Sequence, residues 1–257
     1  MINWTLLSRS RSTLTMNNTD IVRKKISKLP KGYIFTYETF NEQVKSKEAL
    51  IKTLNRMVIN GEIAKLSKGK FYKPEVSQFG LLEPSHQQIV KDLLEKDSKP
   101  LGYLTRLSIY NQLGLSSQNS HIIEIGRNTF KSPITRDIFK IRFVLQKNKI
   151  TKSNIYSLQI LDSLKNLKHI PDTSNLDAAK RLKYLINNLE DAKKKQLVTL
   201  SLKYPPATRA LLGAILEDLK FNYNELARLK SSLNQITVYK NYNVETAINS
   251  APRWKIQ

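Results

Sequence analysis

The sequence predicts an α+β protein built as an N-terminal winged helix-turn-helix followed by a larger, mostly helical α+β C-terminal domain. Three observations carry that expectation. The chain has 257 residues, long for one compact domain and ample for two. Apolar residues recur at helical spacing over most of it, separated by short strand-like runs. Its first quarter orders these segments as helix, strand, helix, helix and hairpin, the order of a winged helix. The expected organisation is a flexible tail at 1–17, a DNA-binding domain at 18–75, a linker at 76–83 and a second domain at 84–257.

In the first domain, Ile21, Val22, Ile26 and Leu29 fall at helical intervals, and the pattern stops at Pro30-Lys31-Gly32, where Pro and Gly punctuate the chain. Tyr33, Ile34 and Phe35 make a β-prone stretch, Thr36 is a candidate N-cap, and Tyr37 to Val44 has room for a second helix. Ser46 is placed to cap a third helix running to Asn60, because its hydroxyl accepts from an early backbone amide, while Glu48 complements the helix dipole. Leu50, Leu54, Met57 and Val58 share one face of that helix. Glu48, Lys52, Asn55, Arg56 and Ile59 occupy the opposite one. Gly61 supplies the left-handed residue that ends it. Glu62 to Ser67 and Lys70 to Lys73 then form a hairpin around Lys68-Gly69, stopped by Pro74.

In the second domain, helical periodicity predicts helices over Pro84 to Lys96 and Leu101 to Leu113. His121 to Ile125 and Ile138 to Gln146 are strands, the latter with Phe139, Ile141, Phe143 and Leu145 on one side and Lys140 and Arg142 on the other, and an antiparallel ribbon is the expected pairing. Ser153 caps a helix through Lys168. Pro171, Pro205 and Pro206 divide the remainder into further helices.

Charge points to a polyanionic partner. The chain carries 43 Lys and Arg against 21 Asp and Glu, a net +22 spread along its length. An AT-rich genome also enriches Lys, Asn and Ile, which lowers the weight of that number. The candidate DNA contacts on the third helix are Ser46, Lys47, Lys52, Asn55 and Arg56. Arg pairs bidentately with guanine and Asn with adenine, so Asn55 and Arg56 are the base readers, and Lys47 and Lys52 are phosphate contacts. The hairpin adds Lys65, Lys68, Lys70 and Lys73. Lys180, Arg181, Lys183, Lys193, Lys194 and Lys195 are a candidate second polyanion surface, with a solvated face as the plainer reading.

Other classes of function lack their residues. There is no cysteine, hence no disulfide, thiolate metal site or catalytic thiol, and a reducing compartment fits. His86, His121 and His169 lie far apart without metal spacing, so no metal is expected, and no glycine loop suggests a phosphate-bearing cofactor. No run approaches the 18 apolar residues of a membrane span, and the N-terminus lacks a signal-peptide core, so a cytoplasmic location is expected. Asp162, in the apolar run Leu158 to Leu164, reads as the polar side of an amphipathic helix, with a hydrogen bond or a pairing to Arg209 as the alternative. Arg209 itself reads as a structural ion-pair partner or a phosphate ligand near a helix start.

The runs Gly32-Tyr33-Ile34-Phe35, Ala49 to Met57, Gly61-Glu62-Ile63 and Gly69-Lys70-Phe71-Tyr72-Lys73-Pro74 together resemble the winged helix of the abortive-infection antitoxin family AbiEi. Leu113-Gly114-Leu115-Ser116-Ser117-Gln118, Leu158-Gln159-Ile160-Leu161-Asp162 and Tyr204-Pro205-Pro206-Ala207-Thr208-Arg209-Ala210-Leu211-Leu212-Gly213 are similar to blocks of the C-terminal domain in a related group. The resemblance implies an antitoxin of a type IV toxin-antitoxin system that counteracts a nucleotidyltransferase toxin and represses its own promoter through repeated sites in double-stranded DNA. It is not an enzyme on that reading. The alternative reading is a plasmid replication or partition factor with no toxin partner, since winged helices also serve there and a basic second domain suits origin DNA. A nucleic-acid enzyme is disfavoured by the lack of any clustered Asp, Glu and His set.

Overall fold

The computed structural model describes residues 17–42, 44, 46–78, 80–118 and 120–257. All of the expected tail except Asn17 therefore lies outside the described residues. The fold is α+β, in two compact units, residues 1–88 and 89–257.

The first unit begins with α1 (Asn18–Ser27), β1 (Ile34–Thr36), a 3-10 turn at Tyr37–Phe40 and α2 (Lys47–Ile59). The strands β2 (Ala64–Ser67) and β3 (Lys70–Tyr72) follow, and β1, β3 and β2 form an antiparallel sheet in that order. Val22 and Ile26 of α1, Leu50, Leu54 and Met57 of α2, and Phe35, Phe40 and Phe71 make one buried cluster. Phe35 meets Phe40 edge-on at 5.7 Å between ring centroids and stacks on Phe71 at 6.2 Å. The Ser46 hydroxyl accepts from the Ala49 amide at 3.2 Å, and Gly61 at φ +71° ends α2, both as the local chemistry requires.

Two segments of this unit differ from expectation. The second helix is a four-residue 3-10 turn, in which the Thr36 amide donates to Thr39 Oγ1 at 3.3 Å and Phe40 drops directly into the core. Asn41 and Glu42 then offer no apolar face to extend it. The segment read as a linker is a small hairpin, β4 (Glu75–Ser77) with β5 (Gly80–Leu82), closed at Gly80 by a φ of +111° that only glycine adopts readily. Three residues per strand are too few to show alternation in sequence.

The division between units falls inside the single turn α3 (His86–Ile89), which is followed by α4 (Lys91–Leu94). The helix expected over 84–96 is thus broken at Val90 and gives way to the ribbon β6 (Glu95–Lys96) and β7 (Lys99–Pro100), which turns at Asp97 and Ser98 with φ of +48° and +62°. The helix expected over 101–113 is mostly not helical. Residues Gly102–Thr105 form β8, a 3-10 turn spans Arg106–Ser108, and only α5 (Tyr110–Leu113) is helical. All four residues of β8 are buried, and Gly102 lies so close to Gly126 that a Cβ would come within 2.8 Å of the Gly126 carbonyl oxygen. Backbone pairing thereby overrides the helical spacing of Leu101, Leu104 and Ile109.

The strands β9 (Ile122–Arg127), β10 (Ile134–Arg136) and β11 (Phe139–Leu145) complete a sheet of order β10-β11-β9-β8. β9 and β11 are parallel, not the antiparallel ribbon expected, because β10 intervenes and the chain reverses twice between them. The second reversal is a tight turn at Asp137, φ +52°.

Five helices finish the unit: α6 (Ile155–Lys165), α7 (Asn175–Asn187), α8 (Asp191–Ser201), α9 (Pro206–Asp218) and α10 (Tyr223–Ser231). α6 starts later than Ser153 because the Asn154 carboxamide holds the preceding turn, accepting from the Thr151 amide and donating to the Lys149 carbonyl. It also stops short of Lys168, where a 3-10 turn at Leu167–His169 takes over. α6 and α9 are buried on nearly every side, which makes them the centre of the helical layer. Gly213 of α9 touches the Trp254 indole so closely that a Cβ would sit 2.2 Å from two ring carbons. Gly213→Ala should therefore lower the urea-unfolding stability of this unit by about 1–3 kcal/mol or more, the usual cost of overpacking, and Trp254→Leu in the same chain should recover part of the loss.

Candidate nucleic-acid interface

The burial of Leu50, Leu54 and Met57 turns the other side of α2 outward. Lys47, Lys52, Asn55, Arg56 and Ile59 are exposed, Ile59 with 85 % of its surface in solvent. At 1.5 Å per residue this 13-residue helix is about 20 Å long, a length that suits a DNA major groove. Lys65 and Lys68 of the hairpin are also exposed. Lys47, Lys52, Lys65 and Lys68 make no ion pair with any described residue, which leaves their charges available to an external anion.

Lys47, Lys68 and Lys70 come together. They line one cleft of about 530 Å³ between the N-terminal turn of α2 and the hairpin tip, with Thr36, Tyr37, Glu38, Asn41 and Gly69. The hairpin tip is held there by packing: a Cβ on Gly69 would lie 3.3 Å from the Tyr37 ring. Thr36, Tyr37 and Asn41 add hydroxyl and amide groups to the cleft. The sequence reading missed them, since their only signal was membership of a short segment ahead of Ser46.

Two predicted contacts are turned toward the protein. The Lys73 ammonium donates to the Ser27 and Leu29 carbonyls at 2.8 and 3.4 Å, satisfying the orphan acceptors at the end of α1. The Arg56 guanidinium donates to Thr19 Oγ1 at 3.1 Å on α1, although it stays exposed. Ser46 is occupied as the N-cap. Beside these, Arg23 grips Glu62 through two bonds of 2.8 and 2.7 Å, and that pairing holds the Glu62 carboxyl below its ordinary range. This bidentate pair pins α1 to the turn after α2.

The six cations proposed as a second polyanion surface do not form one face. Arg181 donates to the Leu113 carbonyl at 2.8 Å, and Lys183 bonds Asp218 and the Ala247 carbonyl at 2.7 and 3.0 Å. Lys193 reaches the Ser153 carbonyl, and Lys194 pairs with Asp191 at 3.4 Å while its side chain is only 14 % exposed. Lys180 faces solvent beside Asp177, and Lys195 is exposed. Helix periodicity scatters a run of lysines over several sides, and most of these found carbonyls or carboxylates.

Asp162 is not on a solvated helix face. It is 6 % exposed and accepts three hydroxyl bonds, from Tyr103 and Thr105 to Oδ2 at 2.7 and 2.6 Å and from Tyr204 to Oδ1 at 2.8 Å. Gln146 donates to both phenol oxygens at 2.8 Å. Burial, reinforced by the neighbouring carboxylate, pushes the Tyr103 and Tyr204 phenols far above their ordinary range, so both stay protonated and donate. Arg209 does not reach Asp162. It donates to the Ser232 carbonyl at 2.7 Å, at the end of α10.

Among the described residues, no group of three His, Asp or Glu is placed to hold a metal ion, and no helix is long and apolar enough to cross a membrane. A model of the DUF6088 family, a family of unknown function, matches residues 21–197, from α1 into α8. The chain belongs to DUF6088. No curated protein matches it. The crystal structure of the RV2827C protein from Mycobacterium tuberculosis is similar over 92 % of this chain and 89 % of its own, with a TM-score of 0.59 and 11 % identity. At that identity the likeness concerns the fold. The family match runs through α2, the hairpin, Asp162 and the start of α8, and so includes residues of both units described above.

Proposed function

We propose that this DUF6088 chain is a sequence-specific DNA-binding repressor of its own promoter, and that it serves as the antitoxin of a type IV pair whose toxin is a nucleotidyltransferase. One observation carries the DNA-binding half: unpaired Lys52 and Asn55 project from α2 while Lys47, Lys68 and Lys70 line the cleft between that helix and the hairpin tip. On this reading the first unit is a winged helix. α2 lies in the major groove, the hairpin rests on the adjacent backbone, and the cleft cations take phosphates.

Asn55 is the leading base reader, through the paired donor and acceptor that fit adenine. Arg56 contributes to guanine only by exchanging its bond to Thr19 for one to DNA. The antitoxin half is supported by the resemblance of the second unit. Two of the blocks that carry it, Leu158 to Asp162 and Tyr204 to Gly213, meet at the Tyr204–Asp162 hydrogen bond of 2.8 Å.

Fluorescence anisotropy on a duplex from the chain's own upstream region tests the first half. Wild-type protein should prefer that duplex to an unrelated one. Asn55→Ala should cost about 1–3 kcal/mol on the promoter and leave unrelated DNA unaffected, whereas Lys68→Ala should weaken both and reduce the salt slope by about one. Equal affinity for both duplexes in the wild type would contradict specific repression. Co-expression of the adjacent nucleotidyltransferase gene tests the second half: growth should be restored by the full-length chain and not by residues 1–88, and failure of the full-length chain to restore it removes the antitoxin role.

A further inference from the structure

The second unit contains a pocket that DNA binding by α2 leaves unused. Its volume is about 300 Å³, the lower end of the range for small-molecule sites. Tyr103 of β8, Asp162 of α6, Gln146 just after β11 and Tyr204 just before α9 line its inner part, and Arg106, Lys147, Lys165 and Lys203 line the same pocket. The three lysines are exposed and make no ion pair with any described residue. Arg106 pairs with Glu124 at 3.3 Å.

Two features are costly for a purely structural element. The Asp162 carboxylate is buried without any cation bonded to it, although cations line the same pocket, and its charge is met only by hydroxyls. An apolar residue of similar size would cost less there. Arg106 holds a left-handed backbone, φ +50°, which disfavours a side chain of its kind. Of the two Asp162 oxygens, Oδ2 accepts two bonds and Oδ1 accepts one, so Oδ1 retains acceptor capacity on a group that lines the pocket.

A ligand that satisfies both ends must present negative charge to the lysines and an N–H or O–H donor to the carboxylate. Inorganic phosphate carries the charge without a base or sugar to fill the rest of the pocket, and a polyamine is repelled by the lysines. We infer that this pocket binds a single nucleotide, with its phosphate among Lys147, Lys165 and Lys203 and a donor of its base or sugar on Asp162. The nucleotide is either free or the terminal unit of a strand, and a pocket of this size takes no more than about one such unit. No residue of the α2 face takes part, so the proposal goes beyond DNA recognition by the first unit and does not rest on it.

Isothermal titration of the full-length chain with ATP, GTP, CTP and UTP, and with the matching nucleosides, inorganic pyrophosphate and a 5′-phosphorylated trinucleotide, tests this. At least one nucleotide should bind saturably, about tenfold or more tighter than its nucleoside and than pyrophosphate. Lys147→Ala and Lys165→Ala, both exposed and so neutral for folding, should each weaken it by about tenfold. Asp162→Asn, checked for an unchanged circular dichroism spectrum, should alter the order of preference among the four bases. Lys47→Ala and Lys68→Ala should change nothing, which separates this site from the DNA face. Tighter binding of the trinucleotide supports the pocket and assigns its ligand to a strand end. No saturable nucleotide binding, equal binding of pyrophosphate, or indifference to both pocket lysine variants would overturn it.

Discussion

Burial of Leu50, Leu54 and Met57 under the Phe35, Phe40 and Phe71 cluster decides what the first unit can present to a partner. A helix has only one side to give to a core, and each of these side chains gains about 1.5–3 kcal/mol by leaving water. That sum outweighs anything the exposed ion pairs contribute, since such pairs are worth about 0–1 kcal/mol each. The outward positions of Lys52, Asn55 and Ile59 are therefore a consequence of core packing. The Arg23–Glu62 pair and the Lys73 cap then refine how α1 and the hairpin meet that helix.

The second unit depends on a different balance. α6 and α9 are apolar on nearly all sides, so the buried carboxylate of Asp162, which has no cation bonded to it, has to be satisfied by hydroxyls from within. Tyr103 and Thr105 of β8 and Tyr204 ahead of α9 supply the hydroxyls, and Gln146 orders the phenols in turn. The basic side chains around this core illustrate why a net charge of +22 overstates the free positive surface. Arg181, Lys183, Lys193 and Arg209 each donate to a backbone carbonyl that ends a helix or loop.

Much of the first unit was legible because its local signals agree. Ser46, the Leu50-Leu54-Met57 stripe, Gly61 and Lys68-Gly69 all specify the same boundaries that packing selects. Where local and long-range terms compete, periodicity misled. Leu101, Leu104 and Ile109 are spaced as on a helix, but Gly102 and Gly126 allow β8 and β9 to approach, and strand pairing prevails. The parallel alignment of β9 and β11 depended on the three residues of β10, too short to read as a strand. Asp162 looked like a solvated residue because its partners Tyr103, Thr105 and Tyr204 are distant in sequence. Lys73 and Lys183 looked free for the same reason: a carbonyl acceptor leaves no mark in a sequence.

If the outward face of α2 meets base edges, site-specific photocross-linking reads that contact directly. A photoreactive side chain at position 55 should cross-link to a base in the upstream duplex, at the same site on each binding repeat, while one at position 54, in the core, should give none. Cross-links at position 55 that fall at random along any duplex, or none under conditions where the labelled protein still binds, would contradict the account.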